Sequence, residues 1–126
     1  MTLETPLARI RGLGSAKQGT HHWWMQRITA IALLPLTVWF VYSLLLLTML
    51  DHAAVTSWIR SPVTSSLLIL FIISIYYHAM LGVRVVIEDY IECEMLKISS
   101  VIILNFVFIF AALVSIIAVI MVTLGL

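Results

Sequence analysis

The sequence predicts an all-α integral membrane protein, with three transmembrane helices that form part of a larger, multi-subunit helical bundle. Three observations carry that reading. Of the 126 residues, 63% are hydrophobic and only 10% charged, with a mean hydropathy of +1.15, which is more apolar surface than a soluble domain of this size buries. Residues 28–50, 64–87 and 99–125 are apolar runs, each long enough to supply the roughly 20 residues a membrane helix needs. These runs do not alternate, and they far exceed the roughly 10 residues of a barrel strand, so a transmembrane barrel is excluded.

In chain order, residues 1–20 hold three of the five glycines and no periodic apolar face, which predicts a flexible solvent-side arm. The first 27 residues lack the short apolar core of a secretory signal, so the N-terminus is expected to be retained. His21, His22, Trp23 and Trp24 then mark a membrane interface, where indole rings prefer to sit. Pro35 lies inside the first span, where it removes one backbone donor and favours a kink that membrane helices tolerate. Residues 51–62 are expected to be a short connection on the outer side, with Trp58 as an interfacial anchor. Residues 88–97 are expected to be a short connection on the inner side. The third span carries Asn105, Ser115 and Thr123 amid Ile, Val, Leu and Phe, and helix packing accounts for all three.

Orientation follows from the basic residues. Arg9, Arg11, Lys17 and Arg27 precede the first span, the first loop carries only Arg60, and Arg84 and Lys97 flank the second loop. This places the N-terminus and the second loop on the cytoplasmic or matrix side, and the C-terminus opposite. Cys93 is the only cysteine, so an internal disulfide, a thiolate zinc site and an iron–sulfur cluster held by this chain alone are excluded. A net charge of +1 and the lack of a basic run argue against a nucleic-acid partner. Three spans make a thin bundle, and a polar face within it implies other subunits.

That polar face lies on the second span. At 3.6 residues per turn Ser74, His78, Gly82, Val85 and Asp89 share one side, with Asp89 about 16 Å from His78 along the axis. Gly82, one turn from His78, removes bulk where a flat macrocycle could lie. An ionisable residue at the depth of His78 is a functional-site hypothesis. On the residues alone two readings stay open: a hydrogen bond to a neighbouring helix, or ligation of haem iron, for which imidazole is a usual ligand. Only one deep histidine is present, so a bis-histidine haem would need a partner chain. Arg84 is spaced to pair with Glu88, and Arg27 with His21 and His22 is placed either to anchor at the interface or to bind anionic groups.

The run His78, Ala79, Met80, Leu81, Gly82, Val83, Arg84, Val85, Val86, Ile87, Glu88, Asp89, Tyr90 resembles the H-A-x-x-G-x-x-x-V-x-x-D-Y signature of the small hydrophobic membrane anchor of succinate dehydrogenase, respiratory complex II. The earlier run His21, His22, Trp23, Trp24, Met25, Gln26, Arg27, Ile28, Thr29, Ala30 is similar to the opening of the first span in the same family. The resemblance covers the chain from about residue 14 onward, while the first thirteen residues and the third span match nothing in particular. It implies a haem-binding helical bundle within a four-chain complex, with a flavoprotein carrying FAD, an iron–sulfur protein and a second, companion membrane anchor. It further implies that His78 is one axial ligand of haem b, the companion anchor supplying the other. Tyr90 becomes the phenol that hydrogen-bonds ubiquinone and Asp89 its acidic neighbour. Arg27 is similar to the family arginine near the haem propionates, and His21 keeps the family spacing to it, although His22 could take that role. Residues 1–20 are too short and weakly basic for a clear transit peptide, which favours the bacterial inner membrane, a mitochondrial inner membrane remaining open.

Two other readings fit the composition. One is a haem-free structural anchor in which His78 only packs. The other is part of a small transporter, with His78, Arg84 and Asp89 along a proton path.

Overall fold

The computed structural model describes residues 17–126, with side chains from residue 20, as four α-helices. Helix α1 spans Lys17–Leu47, α2 spans His52–Arg60, α3 spans Pro62–Tyr90 and α4 spans Glu94–Leu124. The long helices α1, α3 and α4, of 31, 29 and 31 residues, are each long and apolar enough to cross a membrane. At a 1.5 Å rise they measure roughly 43–46 Å, so each overruns a hydrocarbon layer about 30 Å thick.

That overrun is the main departure from the expected spans. Residues 17–20, expected within the flexible arm, are helical. The remainder of the expected arm lies outside the described residues. A helix ladder does not stop where hydrocarbon stops, and Lys17 and Gln18 are good helix formers. The inner connection shrinks for the same reason, because α3 runs on through Glu88, Asp89 and Tyr90 and α4 begins at Glu94, leaving Ile91, Glu92 and Cys93 as the break.

The expected outer loop is also partly helical. Asp51 caps α2, its Oδ1 accepting from the Ala54 amide at 3.0 Å, a standard N-cap bond to the third helical residue. Ser61 then closes α2 through its amide to the Trp58 carbonyl, and Pro62 opens α3 at a position where its missing N–H is harmless. Trp58 is not free at the rim: its ring stacks on Trp39 of α1, with centroids 5.8 Å apart and planes 24° apart. At the far end, Gly125 ends α4 with φ 78°, and Arg60 Nε donates to the Val122 carbonyl at 3.2 Å. A Cβ on Gly125 would sit 2.9 Å from Arg60 Nη2, which can swing aside, so it is the left-handed backbone that favours glycine there.

Helix α3 is the middle of the bundle, with α1 and α4 packed along it. It holds six of the nine buried residues among those described: Thr64, Ser65, Leu68, Phe71, Ser74 and Leu81. The other three, Thr29, Leu36 and Ser43, recur every seven residues on α1 and form the facing stripe. Five of the nine are Ser or Thr. Without water to drive helix association, small and polar side chains let backbones close up while large apolar ones stay toward lipid. Phe40 and Phe71 meet across this seam at 4.9 Å, and Tyr76 joins α3 to α4 through an edge contact with Phe108 and a 3.3 Å hydrogen bond with Ser115.

Candidate functional site

His78 belongs to the α3 seam. Residues 64, 68, 71, 74, 78 and 81 follow one another at three- and four-residue steps, so the ring points at α1. It is half-buried near the middle of α3 and touches two α1 side chains. Its Nδ1 lies 3.0 Å from Thr29 Oγ1, and its Nε2 lies 3.4 Å from Gln26 Nε2. Thr29 also reaches back to its own helix, 2.8 Å from the Met25 carbonyl and 3.1 Å from that of Gln26. Gln26 Oε1 is buried and has no hydrogen-bond partner among the described residues.

Below this cluster a groove of about 530 Å³ opens between α1 and α3, lined by His22, Trp23 and Gln26 on one side and by Leu81, Gly82, Arg84, Val85 and Glu88 on the other. A Cβ on Gly82 would meet Gln26 Nε2 at 3.7 Å, an ordinary contact. The chain's own packing therefore does not demand glycine here; what glycine preserves is the width of the groove. A second, largely apolar cavity of about 440 Å³ lies between α3 and α4, lined among others by Tyr77, Met80, Asn105 and Phe108.

The remaining expected residues lie toward the rim. His22, rather than His21, lines both cavities, and the two rings meet edge to face at 6.3 Å. Arg27 does not line the groove; its guanidinium sits over the Trp23 ring at 4.9 Å, and Trp23 does line it. Arg84 pairs with Glu88 at 2.8 Å, the expected one-turn bridge. Asp89 and Tyr90 close α3 exposed, Tyr90 at 84%, and neither bonds to another described residue through its side chain. They stand about 16 and 18 Å from His78 along the helix, so α3 carries two separate polar centres.

Gln26 and Thr29 are the members that the motif reading passes over. Taken singly, both are ordinary polar residues in the first half of α1. The signal that finds Thr29 is its place in the seven-residue series with Leu36 and Ser43, which marks the α1 face that must meet α3. Among the described residues no cluster of three or more His, Cys, Asp or Glu side chains is present.

Residues 1–123 match the family described as succinate dehydrogenase/fumarate reductase transmembrane subunit. The chain is 41% identical over 91 residues to the succinate dehydrogenase hydrophobic membrane anchor subunit of Rickettsia bellii, covering 72% of this chain and 73% of that one. The corresponding protein of Rickettsia conorii is 38% identical over 100 residues, 79% of each chain. That of Paracoccus denitrificans is 32% identical over 88 residues, 70% of this chain and 68% of that one. No solved structure gives a significant match.

Proposed function

The chain belongs to the family of succinate dehydrogenase/fumarate reductase transmembrane subunits and is a membrane anchor of succinate dehydrogenase, and from that premise we propose that its α3 helix serves two cofactor-level tasks. Its middle supplies one axial ligand to haem b, shared with a second anchor chain, and its end forms part of a ubiquinone-reduction site. The flavoprotein and the iron–sulfur protein that carry succinate oxidation dock on the same rim as Tyr90. In a bacterium this is the cytoplasmic face of the inner membrane, with the N-terminus on that side.

One observation carries the haem assignment: His78 Nε2 is the ring nitrogen with no acceptor opposite it. Its one neighbour is the Gln26 amide nitrogen, a donor, so Nε2 presents a lone pair toward Gln26, which itself lines the groove at Gly82. Neutral imidazole with an available lone pair is the donor iron needs. The buried, unpartnered Gln26 Oε1 adds that this pocket is polar beyond what the described residues satisfy. Haem, when bound, supplies a one-electron centre. The chain's part is to hold it: His78 gives the ligand, Gly82 leaves room, and His22 with Arg27 over Trp23 places positive charge or donors at the mouth for the propionates.

At the end of α3 the Tyr90 hydroxyl and the Asp89 carboxylate are unengaged among the described residues and exposed, as a site completed by other subunits requires. Reducing a quinone takes up two protons with two electrons. A phenol donating to the carbonyl oxygen stabilises the developing negative charge, and a neighbouring carboxylate in contact with water relays the proton. Neither residue handles succinate, and the chain has no catalytic activity by itself.

The purified complex tests this reading. We expect close to one b-type haem per flavin and a Tyr90→Phe variant whose succinate-to-quinone activity falls by about 100-fold or more while succinate-to-dye activity is kept, the range expected for loss of one acid–base contact. A complex without haem absorbance would make this chain a purely structural anchor. Equal loss of both activities in Tyr90→Phe would mean failed assembly and would remove Tyr90 from the quinone site.

A further inference from the structure

The orientation of the His78 ring is set by a hydroxyl on the opposite helix. Thr29 is buried, at 8% exposure, and its Oγ1 lies 2.8 Å from the Met25 carbonyl and 3.1 Å from the Gln26 carbonyl. A threonine hydroxyl has one proton, and here two carbonyl acceptors of its own helix share it. Toward His78 Nδ1, 3.0 Å away, the oxygen is therefore left to accept, and Nδ1 carries the ring hydrogen. Gln26 gives an independent reading of the same state. Its amide nitrogen only donates, and at 3.4 Å from His78 Nε2 it fits a ring whose lone pair is on Nε2. Both contacts fit one tautomer, with hydrogen on Nδ1 and the lone pair on Nε2.

We infer that Thr29 is a positioning residue for haem: its hydroxyl locks His78 in the tautomer and rotamer that present Nε2 to iron. The inference rests on the haem assignment made above. Three consequences follow from the contacts. The bond spans α1 and α3, so the ring angle is tied to the packing of two helices rather than to rotamer preference alone. Because the hydroxyl proton is drawn toward carbonyls, the oxygen is a stronger acceptor for Nδ1–H. A hydrogen-bonded Nδ1–H makes the imidazole a more basic ligand and favours the oxidised, more positive iron. Gln26, by contrast, must give up its contact with Nε2 when the lone pair is used, and its Oε1 has no tie among the described residues to hold it back.

The test compares Thr29→Val, which removes the hydroxyl at nearly constant volume, with Thr29→Ser, which keeps it. Thr29→Ala serves as a second hydroxyl-free variant, so the comparison does not depend on the valine form assembling. Each is measured in the purified complex for haem per flavin, haem midpoint potential and the low-temperature electron paramagnetic resonance of the oxidised haem. We expect the hydroxyl-free variants to show a raised midpoint and a shifted largest g value, or loss of haem from an assembled complex, with Thr29→Ser matching wild type. Hydroxyl-free variants identical to wild type in all three readouts would overturn the inference. So would a Thr29→Ser variant that departs as far as Thr29→Val, since packing would then be the cause. Failure of the underlying haem assignment looks different: a wild-type complex with no haem at all.

Discussion

Three side chains from two helices, Gln26, Thr29 and His78, make a hydrogen-bonded point in the α1–α3 seam, and each tolerates a different change. Thr29→Val deletes one interhelical hydrogen bond, which in membrane bundles is worth about 0.6 kcal/mol on average, so the variant should still fold. Gly82 is a sharper probe of the groove. The space above it accepts a methyl at ordinary contact distance but not a long side chain without crossing toward Gln26. Gly82→Ala should assemble with normal haem content, whereas Gly82→Leu should assemble with haem reduced at least several-fold. Haem-to-flavin ratios check both, and full haem in Gly82→Leu would move the haem away from this groove. At this scale His78, Gly82, Asp89 and Tyr90 were legible because each is an exception within an apolar run or part of a spaced motif. Gln26 and Thr29 were not, because a hydrogen bond between helices has no period within one segment. The choice between His21 and His22 also waited for geometry, since adjacent helical residues point 100° apart and only the packing tells which faces α3.

The three long helices were legible from length and apolar content, and each overlaps the run that predicts it, α1 being displaced toward the N-terminus. Their ends were not, because hydropathy reports where hydrocarbon is suitable and hydrogen bonding decides where a helix stops. Helix α2 illustrates the limit: nine residues of mixed polarity read as loop until the cap at Asp51 and the Trp58–Trp39 stack are seen. Asp51→Ala should therefore cost about 1 kcal/mol locally. Amide exchange across residues 52–60 would rise severalfold while α1 and α3 stay protected, and unchanged exchange would show that the stack alone holds α2. The Arg60 contact to the end of α4 is the companion tie. Gly125→Ala must strain a left-handed position and displace Arg60, so it should loosen the last turn of α4 by about 1 kcal/mol, visible in the same exchange experiment.

Considered whole, the molecule is an open layer of helices rather than a closed bundle. Helix α3 is covered on two sides, α4 buries no residue within the chain, and large apolar side chains such as Phe106, Phe110, Ile31 and Leu34 stay exposed. Lipid satisfies much of that surface, but the buried Gln26 oxygen has no polar partner among the described residues. Under the proposed function, partner subunits would complete the surroundings of His78 and of the exposed Asp89 and Tyr90. The need for further subunits was readable from composition; the unpartnered Gln26 oxygen was readable only from packing. The most direct test of the account is the reduced-minus-oxidised spectrum of purified complex carrying His78→Ala, beside wild type at equal flavin. The account predicts a b-type haem band in wild type that is lost or strongly diminished in the variant while flavin and iron–sulfur content remain. An undiminished band in His78→Ala would contradict it.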